Sequence, residues 1–275
     1  MGYGAIVDPN WSAGEPSAPG YVPGHGLLAG KTVVVTAAAG AGIGSALVRR
    51  CLEEDAGAVV LGDVHERRLA EALGRLGEEF GTDRVAAEVC DVTDERQVNG
   101  LLAAAEAFGG VDVMVNNAGL GGTGSVLDLS DEEWSRVLDI TLTGTFRCVR
   151  AAGNRMVRAG RRGVIVNNAS VAGWRAQEGQ AHYAAAKAGV MALTRCAALD
   201  LAGHGIRVNA VAPSLALHPF LAKVTTEELL DTLKGREAFG RAAEPWEVAN
   251  VMVFLASDYS SYMTGEVVSV SSRHP

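Results

Sequence analysis

The sequence predicts a doubly wound α/β fold built on one parallel sheet, and three observations carry that expectation. Short β-branched runs take turns with amphipathic stretches along most of the chain. The runs show almost no polar alternation, as in Val33-Val34-Val35 and Val164-Ile165-Val166, which is the pattern of strands covered on both faces. Parallel neighbours also require crossover connections, so strict strand–helix alternation and a parallel sheet imply one another.

Taken in order, Lys31 to Thr36 reads as a strand and Ile43 to Glu54 as a helix, then Ala58 to Asp63 and Glu66 to Glu79, then Arg84 to Val89 and Asp94 to Phe108. The alternation continues with strand Val111 to Asn116, one long helix Asp131 to Ala159, strand Gly163 to Asn168, helix Gln180 to Ala202 and strand Ile206 to Val211. A shorter helix, Pro245 to Ala256, and a strand, Glu266 to Val270, complete it. Residues 1–27, with Pro9, Pro16, Pro19 and Pro23 and no apolar period, read as an irregular arm, so the domain is expected to span 28–275. The stretch Ser214 to Phe239 is the one substantial break in the pattern and is placed to form a lid.

Composition narrows the function classes. At 48% hydrophobic and 20% charged the chain is too apolar for disorder, and a formal charge of −8 disfavours nucleic acid and anionic membrane surfaces as partners. Cys51, Cys90, Cys148 and Cys196 stand far apart, without a C-x-x-C pair or a nearby histidine, which points to reduced thiols and no zinc site. Residues 1–25 hold no basic stretch followed by an apolar core, and no apolar run reaches about 18 residues, so a cytoplasmic location is expected.

The first strand runs through Thr36-Ala37-Ala38-Ala39-Gly40-Ala41-Gly42-Ile43-Gly44 straight into a helix. Free amides and the helix dipole there favour a pyrophosphate, and glycines let it approach the backbone, so Thr36, Gly40, Gly42, Ile43 and Gly44 are candidate nucleotide contacts. Tight strand-to-helix packing is the bland alternative. Asp63 ends the second strand nineteen residues after Gly44, where a carboxylate accepts from ribose hydroxyls and repels a 2′-phosphate; a simple helix cap is the other reading. Arg67 and Arg68 follow it, but the glycine-rich turn holds no basic residue, so NAD is preferred over NADP. Asp91-Val92 sits where an adenine packs, although Asp91 reads equally as an N-cap, and Asn117-Ala118-Gly119 brings a polar turn to the same crevice.

Tyr183 and Lys187 lie four apart in Tyr-Ala-Ala-Ala-Lys and share a helical face, and Ser170 follows the fifth strand. A free tyrosine titrates at about 10. A lysine about 5 Å away supplies about 3 kcal/mol at an effective dielectric of about 20, so Lys187 is expected to bring Tyr183 towards neutral pH.

With the glycine-rich turn, these residues resemble the short-chain dehydrogenase/reductase family over roughly residues 28 to 270. The resemblance extends to Asn116-Asn117-Ala118-Gly119 and to Arg207-Val208-Asn209-Ala210-Val211-Ala212-Pro213. It implies a Rossmann fold, with Ser170 polarising the substrate oxygen and Tyr183 exchanging its proton. Lys187 would lower the tyrosine pKa and hold the nicotinamide ribose, Pro213 would join the cofactor contacts, no metal would be needed, and the chain would form a homotetramer. The family pattern is broken in four places. Ala37 replaces a glycine in a turn one residue longer. Thr141 replaces an asparagine that helps hold a relay water. Pro213-Ser214 replaces Pro-Gly, with no threonine in Leu215-Ala216-Leu217-His218 beyond it, and Val270-Ser271-Ser272-Arg273 replaces Val-Asp-Gly-Gly.

Gly173-Trp174-Arg175-Ala176-Gln177, the run Ala238 to Glu247, and the ending Arg273-His274-Pro275 are similar to actinobacterial members of steroid C/D-ring degradation. Those act on a hydroxyl of a methyl-indanone propanoate-type acid or its coenzyme A thioester. The resemblance implies a small-molecule substrate of that kind, with Trp174 and His182 lining a pocket for an alicyclic ring and Arg175 meeting an anionic tail; a core or subunit-interface role for Trp174 is as good a reading. A 3-oxoacyl-thioester reductase is the alternative within the enzyme class. A non-catalytic nucleotide-sensing module is the alternative outside it. Arg147, Arg150, Arg155, Arg158, Arg161 and Arg162 read as a solvated or subunit-contacting face.

Overall fold

Strand β1 (Thr32–Thr36) is buried along its whole length, and the sheet grows outward from it on both sides. The computed structural model describes residues 18–217 and 227–272. The other strands are β2 (Ala58–Asp63), β3 (Val85–Val89), β4 (Val113–Asn116), β5 (Val164–Asn168), β6 (Arg207–Pro213) and β7 (Val267–Val270). They pair in parallel in the order β3-β2-β1-β4-β5-β6-β7. The order reverses direction between β1 and β4, which opens a crevice at the carboxyl ends of those strands.

Helices α1 (Ile43–Glu53), α2 (Glu66–Phe80), α3 (Glu95–Ala104), α4 (Asp131–Leu138), α5 (Gly144–Arg158), α6 (Ala181–Ala202), α7 (Glu227–Gly235) and α8 (Pro245–Ala256) make the crossovers and cover the sheet. Side chains alternate across it. Val33, Val35, Val59 and Leu61 pack with Leu47 and Val48 of α1 and Val248 and Met252 of α8. Val34, Val60, Met114 and Ile165 pack on the other face with Leu101 and Leu102 of α3 and Cys148 and Met156 of α5. Both faces are therefore dry, which is why the strands carry no polar alternation; each such side chain contributes about 1.5–3 kcal/mol.

Three elements depart from the sequence reading. The helix expected over Asp131 to Ala159 is split by a π turn at Asp139–Thr143, and the third helix tightens to a 3₁₀ turn at Ala105–Phe108. The break at 214–239 contains α7. Residues 1–17 of the arm, 218–226 of the break and the ending Arg273-His274-Pro275 lie outside the described residues.

The described part of the arm is fastened to the end of α1. Arg50 donates to the Glu54 carboxylate (2.5 Å) and to the Val22 and Pro23 carbonyls, and Glu54 also accepts from the amides of His25 (2.7 Å) and Leu27 (3.0 Å). Tyr21 stands edge-on to Trp246, with ring centroids 5.3 Å apart. Burial pushes the Glu54 carboxyl up, but the Leu27 and His25 amides and Arg50 outweigh it and hold it below the ordinary carboxylate range. Glu54→Ala leaves the buried Arg50 with only the more distant Glu53 carboxylate, at 3.9 Å, and is expected to cost about 3 kcal/mol in urea unfolding. The wild-type advantage is complete above the ordinary glutamate pKa and disappears as pH falls through the lowered folded value.

Candidate active site

The glycine-rich turn joins β1 to α1. Its threonine, Thr36, is buried and its Oγ accepts from the amides of Asn117 and Ala118 (3.0 Å each), which ties the turn to the end of β4. Ala37 adopts φ +51°, so this residue carries the left-handed strain that the family's glycine avoids. Gly44 is obligatory: a Cβ there would stand 2.1 Å from the Ala37 carbonyl oxygen. Gly40 faces open space, and Gly42 caps α1 without a side chain, leaving the first-turn amides of Ile43 and Gly44 for an anion.

Asp63 lies at the end of β2 and is 5% exposed. Its two oxygens accept from the Ala39 and His65 amides (3.0 Å each), so it holds the turn in place, and Arg68 Nη2 lies 3.9 Å from Oδ1. A depression of about 420 Å³ lined by Val64, His65, Glu66, Arg67 and Arg68 lies beside it. Asp91 does not cap α3. It accepts from Thr93 in a local turn, and Asp94 is the cap. Val92 is buried, close enough to Gly144 that a Cβ there would come within 2.6 Å of Val92 Cγ2. Pro213 closes β6 opposite Val270.

Ser170 follows β5, and its hydroxyl accepts from the Ala172 amide (3.2 Å) in a turn pressed against α6 through Gly173. Tyr183 and Lys187 leave one face of α6, with Nζ 5.6 Å from the phenol ring centroid. Lys187 is 3% exposed and donates to the Asn168 carbonyl (2.6 Å). The empty side of Gly119 opens 3.3 Å from Nζ, which is room a side chain would fill. Asn168 continues the connection: its Nδ2 donates to Asn117 Oδ1 (2.9 Å), and Asn117 Nδ2 donates to the Thr36 and Ala37 carbonyls (3.2 Å each). Asn168 is a site residue beyond the candidates read from the sequence. Its signal was the paired asparagines at the ends of both β4 and β5.

The electrostatics correct one expectation. Burial pushes the Tyr183 phenol above its ordinary value, with the hydrogen bond to Ser170 pulling the other way, and Lys187 does not reverse this. The same burial pulls Lys187 down to about 8, because a dry site disfavours the ammonium as well as the phenolate. Tyr183 is therefore protonated at neutral pH, ready to donate.

Thr141 sits in the π turn, fully buried; its hydroxyl accepts from the Leu120 amide (2.9 Å) and donates to the Leu120 carbonyl (3.1 Å), while its own carbonyl takes a bond from Thr145 (2.8 Å). Trp174 is 41% exposed. His182 is buried, with Nδ1 unpartnered among the described residues, and Arg175 has Nε and Nη2 buried and likewise unpartnered. Four of the six dense arginines are paired within the chain: Arg147 with Asp139, Arg150 with Glu95, Arg155 with Glu106 and Arg161 with Asp112.

A phosphate-ready turn at the sheet's switch point, with a serine, a tyrosine and a lysine converging beside it, is the arrangement of a dehydrogenase. A family model described as enoyl-(acyl carrier protein) reductase matches residues 37–272, and the chain belongs to the short-chain dehydrogenase/reductase family of oxidoreductases, which use nicotinamide cofactors. It is 61% identical over 94% of its length, and 98% of the relative's, to the (5R,7aS)-5-hydroxy-7a-methyl-1-oxo-2,3,5,6,7,7a-hexahydro-1H-indene-carboxyl-CoA reductase of Mycobacterium tuberculosis. It is 38% identical to a 3-oxoacyl-(acyl-carrier-protein) reductase of Thermotoga maritima, over 88% of this chain and 97% of that one. A short chain dehydrogenase from Mycobacterium smegmatis, solved as a crystal structure, superposes with TM-score 0.84 at 55% identity, covering 95% of this chain and all of that one.

Replacing Lys187 by methionine removes the donor to the Asn168 carbonyl together with the buried ammonium, and is expected to abolish the pH dependence of stability that this group causes. Below about pH 8 the folded and unfolded chains both carry the ammonium, buried only in the folded one; between about 8 and the ordinary value of 10.5 the unfolded chain binds the extra proton, so wild-type stability rises with pH relative to the variant. Melting temperatures of the two proteins measured across that range check the sign.

Proposed function

We propose that the protein transfers hydride between a nicotinamide cofactor, NAD in preference to NADP, and a secondary alcohol or ketone carbon on a bulky alicyclic acid or its coenzyme A thioester. The observation that carries this is the convergence of Ser170, Tyr183 and Lys187 with the glycine-rich turn through Asn168 and Asn117. The named activity of the 61% identical relative supports the substrate class.

The residues at the crevice fit a dinucleotide. The open amides at Gly42, Ile43 and Gly44 would take the pyrophosphate, with Thr36 and Gly40 shaping the turn. Asp63 would accept from the adenosine ribose, and its buried charge would repel a 2′-phosphate. Asp91 and Val92 would border the adenine, and Asn117, Ala118, Gly119, Lys187 and Pro213 the nicotinamide half. When bound, the nicotinamide supplies the carbon that accepts or returns the hydride. In reduction the Tyr183 phenol gives its proton to the ketone oxygen while Ser170 donates a hydrogen bond to the same oxygen. In oxidation Tyr183 takes the alcohol proton. The raised phenol pKa keeps the proton on Tyr183 at neutral pH, so the rate of oxidation is expected to rise with pH.

Trp174 and His182 would border the ring, and the unspent guanidinium donors of Arg175 suit an anionic tail. The proposed setting is the cytoplasm and steroid C/D-ring catabolism. The proposed working form is a homotetramer, for which the exposed Phe146 and Leu199 offer apolar surface.

The test is NADH formation from ring-bearing and linear hydroxyacyl-CoA thioesters, repeated with NADP and with Tyr183→Phe. Turnover is expected on the alicyclic thioester with NAD, falling by about 10²–10⁴-fold in the variant. Asp63→Ser is expected to narrow the preference for NAD. Turnover of linear thioesters alone would move the assignment to a 3-oxoacyl reductase, and cofactor binding without turnover would move it to a nucleotide sensor.

A further inference from the structure

Two of the breaks in the family pattern, distant in sequence, meet in space. β6 and β7 end side by side, with Pro213 opposite Val270 and the Ser214 amide donating to the Val270 carbonyl (3.1 Å). Ser214 and Ser272 therefore leave neighbouring strand ends together. Both hydroxyls donate to one oxygen of Glu237, Oε2, at 3.1 and 2.9 Å. Glu237 follows α7 and is 9% exposed. A glycine at either serine position would offer no hydroxyl.

The backbone around this cluster closes the base of the segment. Ala243 donates to the Leu215 carbonyl (2.8 Å) and Leu217 to the Ala243 carbonyl (3.0 Å), so the incoming and outgoing strands of chain are strapped to each other. The turn beyond Glu237 is set by Gly240, at φ +63°, whose amide donates to the Glu237 carbonyl (2.9 Å). Those bonds join the segment to itself. The Glu237 carboxylate joins it to the sheet. Hydrogen bonds to a carboxylate are about twice as strong as neutral ones, and a carboxylate this far from water has few other donors to turn to.

We propose that Ser214, Glu237 and Ser272 form a latch that fastens the end of α7 to the ends of β6 and β7, making Glu237 a positioning residue for substrate. This rests on the proposed function, with the break after β6 read as a lid beside the substrate. The latch fixes where α7 departs from the sheet, so less ordering of that helix is left for substrate binding to supply.

Hydrogen exchange of the 227–240 amides, in the full-length protein without substrate, tests the latch directly. Glu237→Ala and the double variant Ser214→Ala/Ser272→Ala are each expected to speed that exchange by about tenfold or more. Both are expected to raise KM for the substrate that turns over by a similar factor, with kcat changing less. Glu237→Gln, whose amide oxygen still accepts, should fall between them and the wild type. Ser272→Ala alone, at a partly exposed position, keeps the test available if Glu237→Ala does not fold. Unchanged exchange overturns the latch, and faster exchange with KM and kcat both unmoved overturns its role towards substrate. If no thioester turns over while the exchange result holds, the substrate assignment fails and the latch stands.

Discussion

The ammonium of Lys187 is buried at the carboxyl edge of a dry parallel sheet, where water cannot solvate it, and its bond to the Asn168 carbonyl anchors the arrangement around it. Asn168 holds Asn117, Asn117 holds the backbone of the glycine-rich turn, and Thr36 takes the amides that follow β4. One connected set of hydrogen bonds therefore links the residue beside the phenol to the turn suited to the pyrophosphate. A buried polar chain of this kind is favourable only when its members are satisfied together. The one orphan along it, Asn168 Oδ1, is an acceptor.

The same burial sets the proton chemistry. It lifts the phenol and lowers the lysine, so the two groups approach each other in basicity instead of separating. A lysine in water at the same distance would act mainly as a fixed charge. Here its charge is itself costly, and the protein presents a protonated phenol hydrogen-bonded to Ser170.

The breaks in the family pattern have distinct physical consequences. Ala37 carries backbone strain at the turn. Thr141 replaces a longer amide by a hydroxyl that closes onto the Leu120 backbone within a π turn, the geometry in which a helix commonly gives up its regular ladder beside a site. Ser214 and Ser272 exchange glycine flexibility for hydroxyls that share a carboxylate. The first two lie at the glycine-rich turn and at the Leu120 backbone, and the last two where the segment after β6 meets the sheet.

The strand–helix alternation, the glycine-rich turn, Asp63 at the end of β2 and the Ser170, Tyr183, Lys187 spacing were all legible in the sequence, because each depends on local period or on neighbours along the chain. The π turn was not legible, since one extra residue shifts the apolar period by a single position, which an irregular amphipathic pattern hides. Asn168 read as one more polar residue at a strand end, and Glu237 as part of an irregular break, because their partners lie 51 residues away in one case and 23 and 35 in the other. The pKa directions also required the fold: the spacing of Tyr183 and Lys187 gives their separation, but whether their charges are solvated depends on what the sheet and its helices bury around them. The sequence alone determined which groups stand at the crevice; tertiary packing decided which of them hold a proton and which hold the segment beside it, because solvation and long-range hydrogen bonds exist only in the folded chain.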